Sequence, residues 1–125
     1  MKQDVLTAFR DVYHDFRDAL VDDVLVGPRR EVTLILRPLT WSGGQRDYGA
    51  PVAVRFGGIE DFDRVALQFQ KLPSLESEIG SLGPDPGWKD RKAGLYRFKF
   101  ESERRSFEFT FRCRSVAIED AQNRP

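Results

Sequence analysis

Between Val5 and Leu20 the apolar residues recur every three or four positions, which is the spacing of one face of an α-helix. The pattern predicts a long amphipathic N-terminal helix. Because a helix of this kind is poorly stable alone, its apolar face should pack against a sheet or against a second copy of the chain. The opposite face carries an acidic stripe of four aspartates: Asp4, Asp11, Asp15 and Asp18.

After Leu20 the pattern changes to the alternation that is typical of β-strands. Two alternating runs, 20–26 and 32–36, flank a loop at residues 27–31 that contains Gly27-Pro28. We therefore predict a hairpin between the two runs. Its predicted register pairs Val26 with Val32 and Val24 with Leu34.

The middle of the chain combines a strand with a second, shorter helix. Val52 to Phe56 alternates and is stopped by Gly57-Gly58. Helical spacing then runs from Glu60 to Leu72, and Pro73 ends it. A weaker strand is predicted at residues 75–82.

Aromatic residues alternate with polar ones in both strands of a final hairpin, at residues 96–101 and 107–114. A turn centred on Glu103-Arg104 puts the large aromatic side chains of the hairpin on one face, which we expect to be core. The predicted pairs are Tyr96 with Phe111, Phe98 with Phe109, Phe100 with Phe107 and Lys99 with Glu108.

Two long connections, Pro38 to Pro51 and residues 83–94, each contain a tryptophan. Long irregular connections are uncommon in compact domains and are often functional. Trp, Tyr and Arg are favoured at the energetic centres of protein interfaces, so both connections are candidate binding surfaces. The alternative is that the tryptophans are lids over the core. The candidate binding residues are Trp41, Arg46, Tyr48 and Trp88, together with Asp11 and Asp15 of the acidic stripe.

These elements predict an α+β fold in a single domain over residues 1–125: mainly antiparallel sheet with a long N-terminal amphipathic helix and a second short helix. The composition fits a globular protein, with 40% hydrophobic and 32% charged residues. Ten phenylalanines against three tyrosines and two tryptophans indicate a packed aromatic core. The net charge of +0 gives nothing that would steer the whole chain toward nucleic acid or a membrane.

Few residues could support catalysis or hold a metal. His14 is the only histidine, and although it stands beside Asp15, no motif places a serine or a second cysteine as its nucleophile. One histidine and one cysteine cannot form the usual zinc site, and no motif for another metal or cofactor is present. Cys113 lies on the phenylalanine face of the last strand and should be a buried apolar residue.

The expected cellular compartment follows from features that the sequence lacks. No apolar run is long enough for a membrane span, and charged residues stand where a signal peptide needs an apolar run. A single cysteine excludes an internal disulfide. We therefore expect a cytoplasmic protein.

Two features are suited to anions. Gly57-Gly58 stands between a strand and a helix, where backbone N–H groups can hold an anion, although a tight turn is the simpler explanation. The outer face of the final hairpin is basic, with Arg97, Lys99, Arg112 and Arg114 diluted by Glu101 and Glu108. Because the aromatic residues lie on the other face, the hairpin lacks a platform for stacking bases, and no nucleic-acid partner is predicted.

Several motifs follow one another over residues 12–116: Tyr13-His14-Asp15, alternating runs at 18–26 and 32–36, the strand end Val54-Arg55-Phe56-Gly57-Gly58-Ile59, and the late aromatic hairpin. In this order they resemble a group of small bacterial domains that includes immunity-protein families of contact-dependent and polymorphic toxin systems. A long helix before His14 and the charged stretch 89–92 are not part of that pattern. The resemblance implies a non-catalytic α+β protein that binds another protein, and it assigns no binding residue.

We expect a non-enzymatic domain that binds another protein, such as an immunity or antitoxin-like inhibitor, and that could form homo-oligomers. The alternative is an enzyme or small-ligand binder with a cleft between helix and sheet. A deep pocket where His14, Asp15 and an arginine converge would favour the alternative. Exposed tryptophans on an open surface would favour protein binding.

Overall fold

The computed structural model describes residues 5–71, 79–84, 96–102 and 107–121, which form two α-helices, one short turn and nine β-strands. The helices are α1 (Val5–Asp11) and α2 (Phe62–Gln70), and the turn is His14–Phe16. The strands are β1 (Leu20–Gly27), β2 (Glu31–Arg37), β3 (Leu39–Ser42), β4 (Gln45–Tyr48), β5 (Val52–Gly57), β6 (Ile79–Pro84), β7 (Tyr96–Ser102), β8 (Phe107–Cys113) and β9 (Ser115–Asp120).

The strands pair antiparallel in three sheets. A four-stranded sheet has the order β1-β2-β5-β9, a three-stranded sheet has the order β6-β7-β8, and β3 pairs with β4. Only Arg114 separates β8 from β9, so the chain passes from one sheet to the other at a single bend. The Arg114 N–H donates to the Gly57 carbonyl at 2.9 Å, which ties this bend to the end of β5.

Phenylalanine rings from both larger sheets and from α2 meet in one buried cluster. The ring of Phe56 in β5 lies 5.0 Å, centroid to centroid, from both Phe98 of β7 and Phe111 of β8, in edge-to-face geometry. Phe69 of α2 completes the cluster at 5.2 Å from Phe111. Aromatic pairs at these separations add stability beyond the apolar area that they bury. The cluster therefore holds the two sheets and α2 together.

The first hairpin confirms its predicted register, because Val26 pairs with Val32 and Val24 with Leu34. Residues of β2 on the inner face, such as Leu34, are fully buried, so a one-residue slip would move them to the other face. The predicted strand at Val52 and the predicted second helix are also confirmed, as β5 and α2. β6 begins at Ile79, and the earlier part of its predicted span lies outside the described residues.

The predicted long N-terminal helix, and with it the predicted fold class, is wrong. α1 ends at Asp11 after 7 residues, and three antiparallel sheets account for most of the described chain. The turn His14–Phe16 has left-handed backbone throughout, with φ values of 50°, 56° and 48°. Phe9 and Phe16 are buried as helical spacing requires, but Val12 is 50% exposed. A short helix and a compact turn thus satisfy the same apolar spacing as one continuous helix.

The final hairpin is present, but its predicted register is wrong by two residues. Phe98 pairs with Phe111, and Phe100 pairs with Phe109. A shift of two leaves each side chain on its original face, so the aromatic side chains described in both strands still pack in or against the core. The predicted turn at Glu103-Arg104 lies outside the described residues. Strand β9 was not predicted, although Val116 and Ile118 alternate within it.

Loss of the Phe56 ring should destabilise the whole domain. We expect Phe56→Ala to lower the free energy of unfolding by about 3–5 kcal/mol, because the ring contacts partners from the three-stranded sheet and from α2. Urea denaturation measures the change. The control is Leu67→Ala, since Leu67 on α2 is 56% exposed and its truncation should change stability by less than about 0.5 kcal/mol. If Phe56→Ala and Leu67→Ala lowered the free energy of unfolding equally, this description of the core would be contradicted.

Candidate functional site

The predicted long connection between Pro38 and Pro51 is instead a two-stranded β-arm, formed by β3 and β4. The arm extends the hairpin of β2 and β5, and the Gly49 N–H donates to the Pro38 carbonyl at 2.8 Å where the two parts join. Its tip is the two-residue turn Gly43-Gly44, with φ values of 56° and 80°. Two successive residues with positive φ define the turn type that best fits a twisted hairpin, and glycine adopts them without strain.

One face of the arm presents three large side chains. Leu39 lies opposite Tyr48 in the register, and Trp41 follows two residues after Leu39 on the same side. Trp41 is 66% exposed, the highest value among the large hydrophobic residues that the structure describes, whereas Leu39 and Tyr48 are half-buried. Trp41 is therefore not a lid over the core.

The structure brings three of the six predicted site residues together on this arm. The register places Arg46 opposite Trp41, and Tyr48 lies two residues further along β4. Trp88 lies outside the described residues. Asp11 is exposed at the end of α1, and Asp15 lies in the turn that follows, so no continuous helix aligns the acidic stripe. The sequence contained one signal for the arm that our prediction overlooked, the Gly-Gly pair between two short alternating runs.

Asp15 serves the fold rather than an open site. Its half-buried carboxyl group packs against Gly83 of β6, so that an ideal Cβ on Gly83 would lie 2.6 Å from the Asp15 Cγ. The segment after the turn is tied to β6 by two hydrogen bonds, from the Asp18 N–H to the Gly80 carbonyl and from the Ile79 N–H to the Ala19 carbonyl. Burial raises the pKa of Asp15, and the positive charges of Arg10 and Arg17 and the neighbouring His14 oppose that rise.

A groove of about 640 Å³ lies between α1 and β9. The helix contributes Val5 and Ala8, the segment that follows it contributes Val12 and Tyr13, and the strand contributes residues 116–119. β9 is the outermost strand of the four-stranded sheet, so the groove runs along a sheet edge. Its exposed lining is about half polar and half apolar, and Tyr13 and Glu119 are among the residues that line it. His14 and Asp15 do not line it.

The remaining candidates for chemistry are also placed by the structure. Cys113 is fully buried, and burial raises the pKa of its thiol to about 12, which keeps the sulfur protonated and unreactive at neutral pH. Within the described ranges, no three side chains of His, Cys, Asp or Glu are grouped so that they could hold a metal ion. In the same ranges no helix is both long and apolar enough to cross a membrane.

Known proteins give no further guide to the site. No protein-family model matches the chain, and neither does any curated protein or solved structure. The β-arm and the groove therefore have to be interpreted from their own chemistry.

The buried carboxyl of Asp15 should make stability depend on pH. Because the folded state raises its pKa, the folded protein holds this proton more tightly than the unfolded chain does. Stability from this group is thus present below the ordinary pKa of 3.8 and is lost as the pH rises through the raised value. Asp15→Asn, which removes the charge and tolerates the left-handed backbone, should be the more stable protein near neutral pH.

Chemical denaturation of both proteins across this pH range measures the effect. The amount by which the free energy of unfolding of Asp15→Asn exceeds that of the wild type should shrink as the pH falls toward 3.8. Asp11→Asn is the matched control, because Asp11 is exposed and its replacement should show no such trend. If Asp15→Asn exceeded the wild type in free energy of unfolding by the same amount at every pH, the raised pKa assigned to Asp15 would be contradicted.

Cys113 should resist thiol reagents for as long as the protein is folded. A buried thiol with a pKa of about 12 has almost no thiolate to react near neutral pH. Labelling by a chromogenic disulfide reagent should therefore be slow in buffer and complete at once in denaturing urea. Rapid stoichiometric labelling of the native protein would show that the thiol is accessible.

Proposed function

We propose that this protein is a non-enzymatic domain that binds another protein through its β-arm. The observation that carries the proposal is the 66% exposure of Trp41 on an ordered hairpin. Exposed tryptophan is costly to hydrate, and among surface residues it is one of those most enriched at the energetic centres of interfaces. No packing requirement of the core explains Trp41, because the buried cluster lies elsewhere.

The geometry of the arm favours binding for a second reason. The Gly43-Gly44 turn and four cross-strand pairs fix the backbone before any partner arrives. On the face opposite Trp41, the Thr40 hydroxyl donates to the Asp47 carbonyl at 3.1 Å, which adds a further constraint. A surface that is ordered in advance loses less conformational entropy on association, so more of the contact energy appears as affinity.

The resemblance to immunity-protein families supports a more specific proposal, that the partner is a toxin which this domain inhibits in the cytoplasm. Reduced, buried Cys113 is compatible with that compartment. Asp11 and Asp15 were predicted as a second surface for a cationic partner, and that role stays a prediction. Of the two side chains, Asp11 is the exposed one.

A second candidate function rests on the groove between α1 and β9, which fits the alternative of a small-ligand binder with a cleft between helix and sheet. Its lining, about half of which is apolar, would take a molecule with both an apolar and a polar part. Val12 lines this groove and is 50% exposed, so Val12→Lys should abolish such binding while Trp41→Ala leaves it unchanged. The two candidate functions can thus be separated with one pair of variants.

Trp41 should crosslink to the partner and should carry much of the affinity. A photo-crosslinking phenylalanine derivative that replaces Trp41 in cells should capture one specific protein, whereas the same derivative in place of exposed Leu67 should not. With that protein purified, Trp41→Ala should weaken binding by about 2 kcal/mol or more, which is roughly 30-fold, in a calorimetric titration.

The fold must be unchanged for this test to count, and Leu67→Ala serves as the matched control because it removes another exposed apolar side chain. Unaltered affinity in Trp41→Ala would contradict the proposal. Crosslinks only to a second copy of the chain would identify a homo-oligomer as the function of the arm. Turnover of a substrate that His14→Ala abolished would replace the proposal with the enzymatic alternative.

A further inference from the structure

Three of the four outer strands of the two larger sheets are interrupted or covered by other described residues. The pairing register of β1 shifts between Val21 and Asp23, and the Asp23 carboxylate accepts the Val24 N–H at 2.8 Å. β6 is hydrogen-bonded to the segment after the His14–Phe16 turn, and the Arg112 carbonyl of β8 accepts an N–H from the segment before α2. Irregular pairing, charged side chains and covering segments are the means by which proteins keep further strands from a sheet edge.

The fourth outer strand, β9, pairs with β5 in one register along its whole length. Just beyond the strand, the Ala121 N–H donates to the Pro51 carbonyl at 3.1 Å and continues that register. Hydrogen-bonded and non-hydrogen-bonded pairs alternate along an antiparallel ladder. Ala117, four residues before Ala121, therefore points its N–H and carbonyl at β5, whereas Val116 and Ile118 point theirs away from the sheet.

The outward backbone groups of Val116 and Ile118 have no hydrogen-bond partner among the residues that the structure describes. They are two donors and two acceptors, and the two residues lie about 7 Å apart along the strand. The side chains of both residues pack against the core, so the strand cannot turn to hide these groups. Another extended chain carries donors and acceptors at the same spacing and would satisfy all four.

The groove between α1 and β9 supplies the space and the second wall for such a chain. Leu6 and Phe9 of α1 are buried in the core, so the helix lies on the core side of the sheet. A chain paired with β9 would thus turn every second side chain toward α1 and the 50% exposed Val12. Six of the eight lining residues have apolar side chains, so the polar half of the lining comes largely from the backbone, Tyr13 and Glu119.

We infer that this groove binds an extended peptide segment of another protein, which adds a fifth strand to the four-stranded sheet beside β9. The peptide backbone pairs with Val116 and Ile118. Its side chains on the core side are apolar, to fit against Val12, and those on the other face are polar. In strand addition the backbone bonds give affinity and the alternate side chains give specificity. The inference goes beyond the proposed function of the arm, because it uses none of the residues of the arm.

A second copy of the chain fits this edge less well than a peptide does. Antiparallel pairing of β9 with its own copy requires a two-fold axis perpendicular to the joined sheet. Such an axis would put both copies of α1 on the same face, over the same joint. Because α1 already flanks the edge, the two helices would crowd each other, whereas a peptide brings no helix with it.

Amide hydrogen exchange in the full chain tests the open edge without any ligand. The amides of Val116 and Ile118 should exchange faster than that of Ala117, because only Ala117 donates within the ladder. The reverse order would overturn the inference, since the outward groups would then belong to other residues.

A library of random peptides, each about seven residues long and so slightly longer than a typical strand, serves as the probe. Selection on the wild-type protein should enrich peptides in which apolar and polar residues alternate and proline is absent. The most enriched peptide, made synthetically, should bind in a calorimetric titration and should slow exchange at Val116 and Ile118. Trp41→Ala should bind it as the wild type does, which separates this site from the arm.

Val116→Pro removes one outward N–H and no ladder hydrogen bond, which is the position at which an edge strand tolerates proline. It should weaken peptide binding about tenfold or more, because a hydrogen bond is lost and the ring obstructs the edge. Val116→Ala is the matched control, since it shortens the same side chain and keeps the N–H, and it should bind nearly as the wild type does.

N-methylated peptides give the same test without altering the protein. Methylation of the peptide amides that face β9 should weaken binding about tenfold or more per amide, whereas methylation of the intervening amides should change it by less than about threefold. A small molecule or a peptide held only by its side chains would not show this alternation.

Three further outcomes would overturn the inference. The first is a selection that enriches no peptide for the wild-type protein over Val116→Pro. The second is peptide binding that tolerates methylation at every amide, which would assign the groove to side chains or to a small ligand. The third is a concentration-dependent dimer of the wild-type protein that Val116→Pro abolishes, which would make a second copy the occupant of the edge.

Discussion

The structure depends on the contact between the ring of Phe56 and the rings of Phe98 and Phe111. Phe56 is the point at which the four-stranded sheet meets the three-stranded sheet, and each of its two edge-to-face contacts crosses between them. Phe69 adds α2 to the same cluster. An antiparallel sheet with one apolar face is not stable until that face is covered. The sheets cover each other only because these rings fill the space between them.

The same constraint shapes the segment that follows Phe56. Gly57 lies so close to the Ser115 hydroxyl that a Cβ there would collide with it, and Gly58 combines a φ of 60° with a close approach to the Arg114 side chain. Two glycines are therefore needed where β5 ends against the bend between β8 and β9. Their compact path is also what brings the start of α2 beside Arg112.

The sequence predicts the elements whose alternatives would expose apolar side chains. In the first hairpin a one-residue slip would turn Leu34 out of the core, so alternation excluded that slip, and the position of the Gly27-Pro28 loop chose among the remaining registers. In the final hairpin a two-residue shift buries the same face, so alternation does not choose between Phe98–Phe109 and Phe98–Phe111. The N-terminal spacing fitted a long helix and a short helix with a left-handed turn equally well. The arm was not predicted because the length of the connection outweighed the Gly43-Gly44 signal. The arginines near the start of α2 were not predicted to be neighbours because they come from separate elements.

The position of the arm relative to the core bears on how it could act. A two-stranded ribbon is at best marginally stable in water, and the arm makes its ladder only within itself, beyond the Pro38–Gly49 junction. Its order therefore depends on the turn, on the backbone pairing of β3 with β4, and on the rigid hairpin beneath it. Elements of this kind open at lower free energy than the core does. A partner that covered Trp41 would stabilise the arm locally and leave the phenylalanine cluster untouched, so binding and folding can be altered separately in this chain.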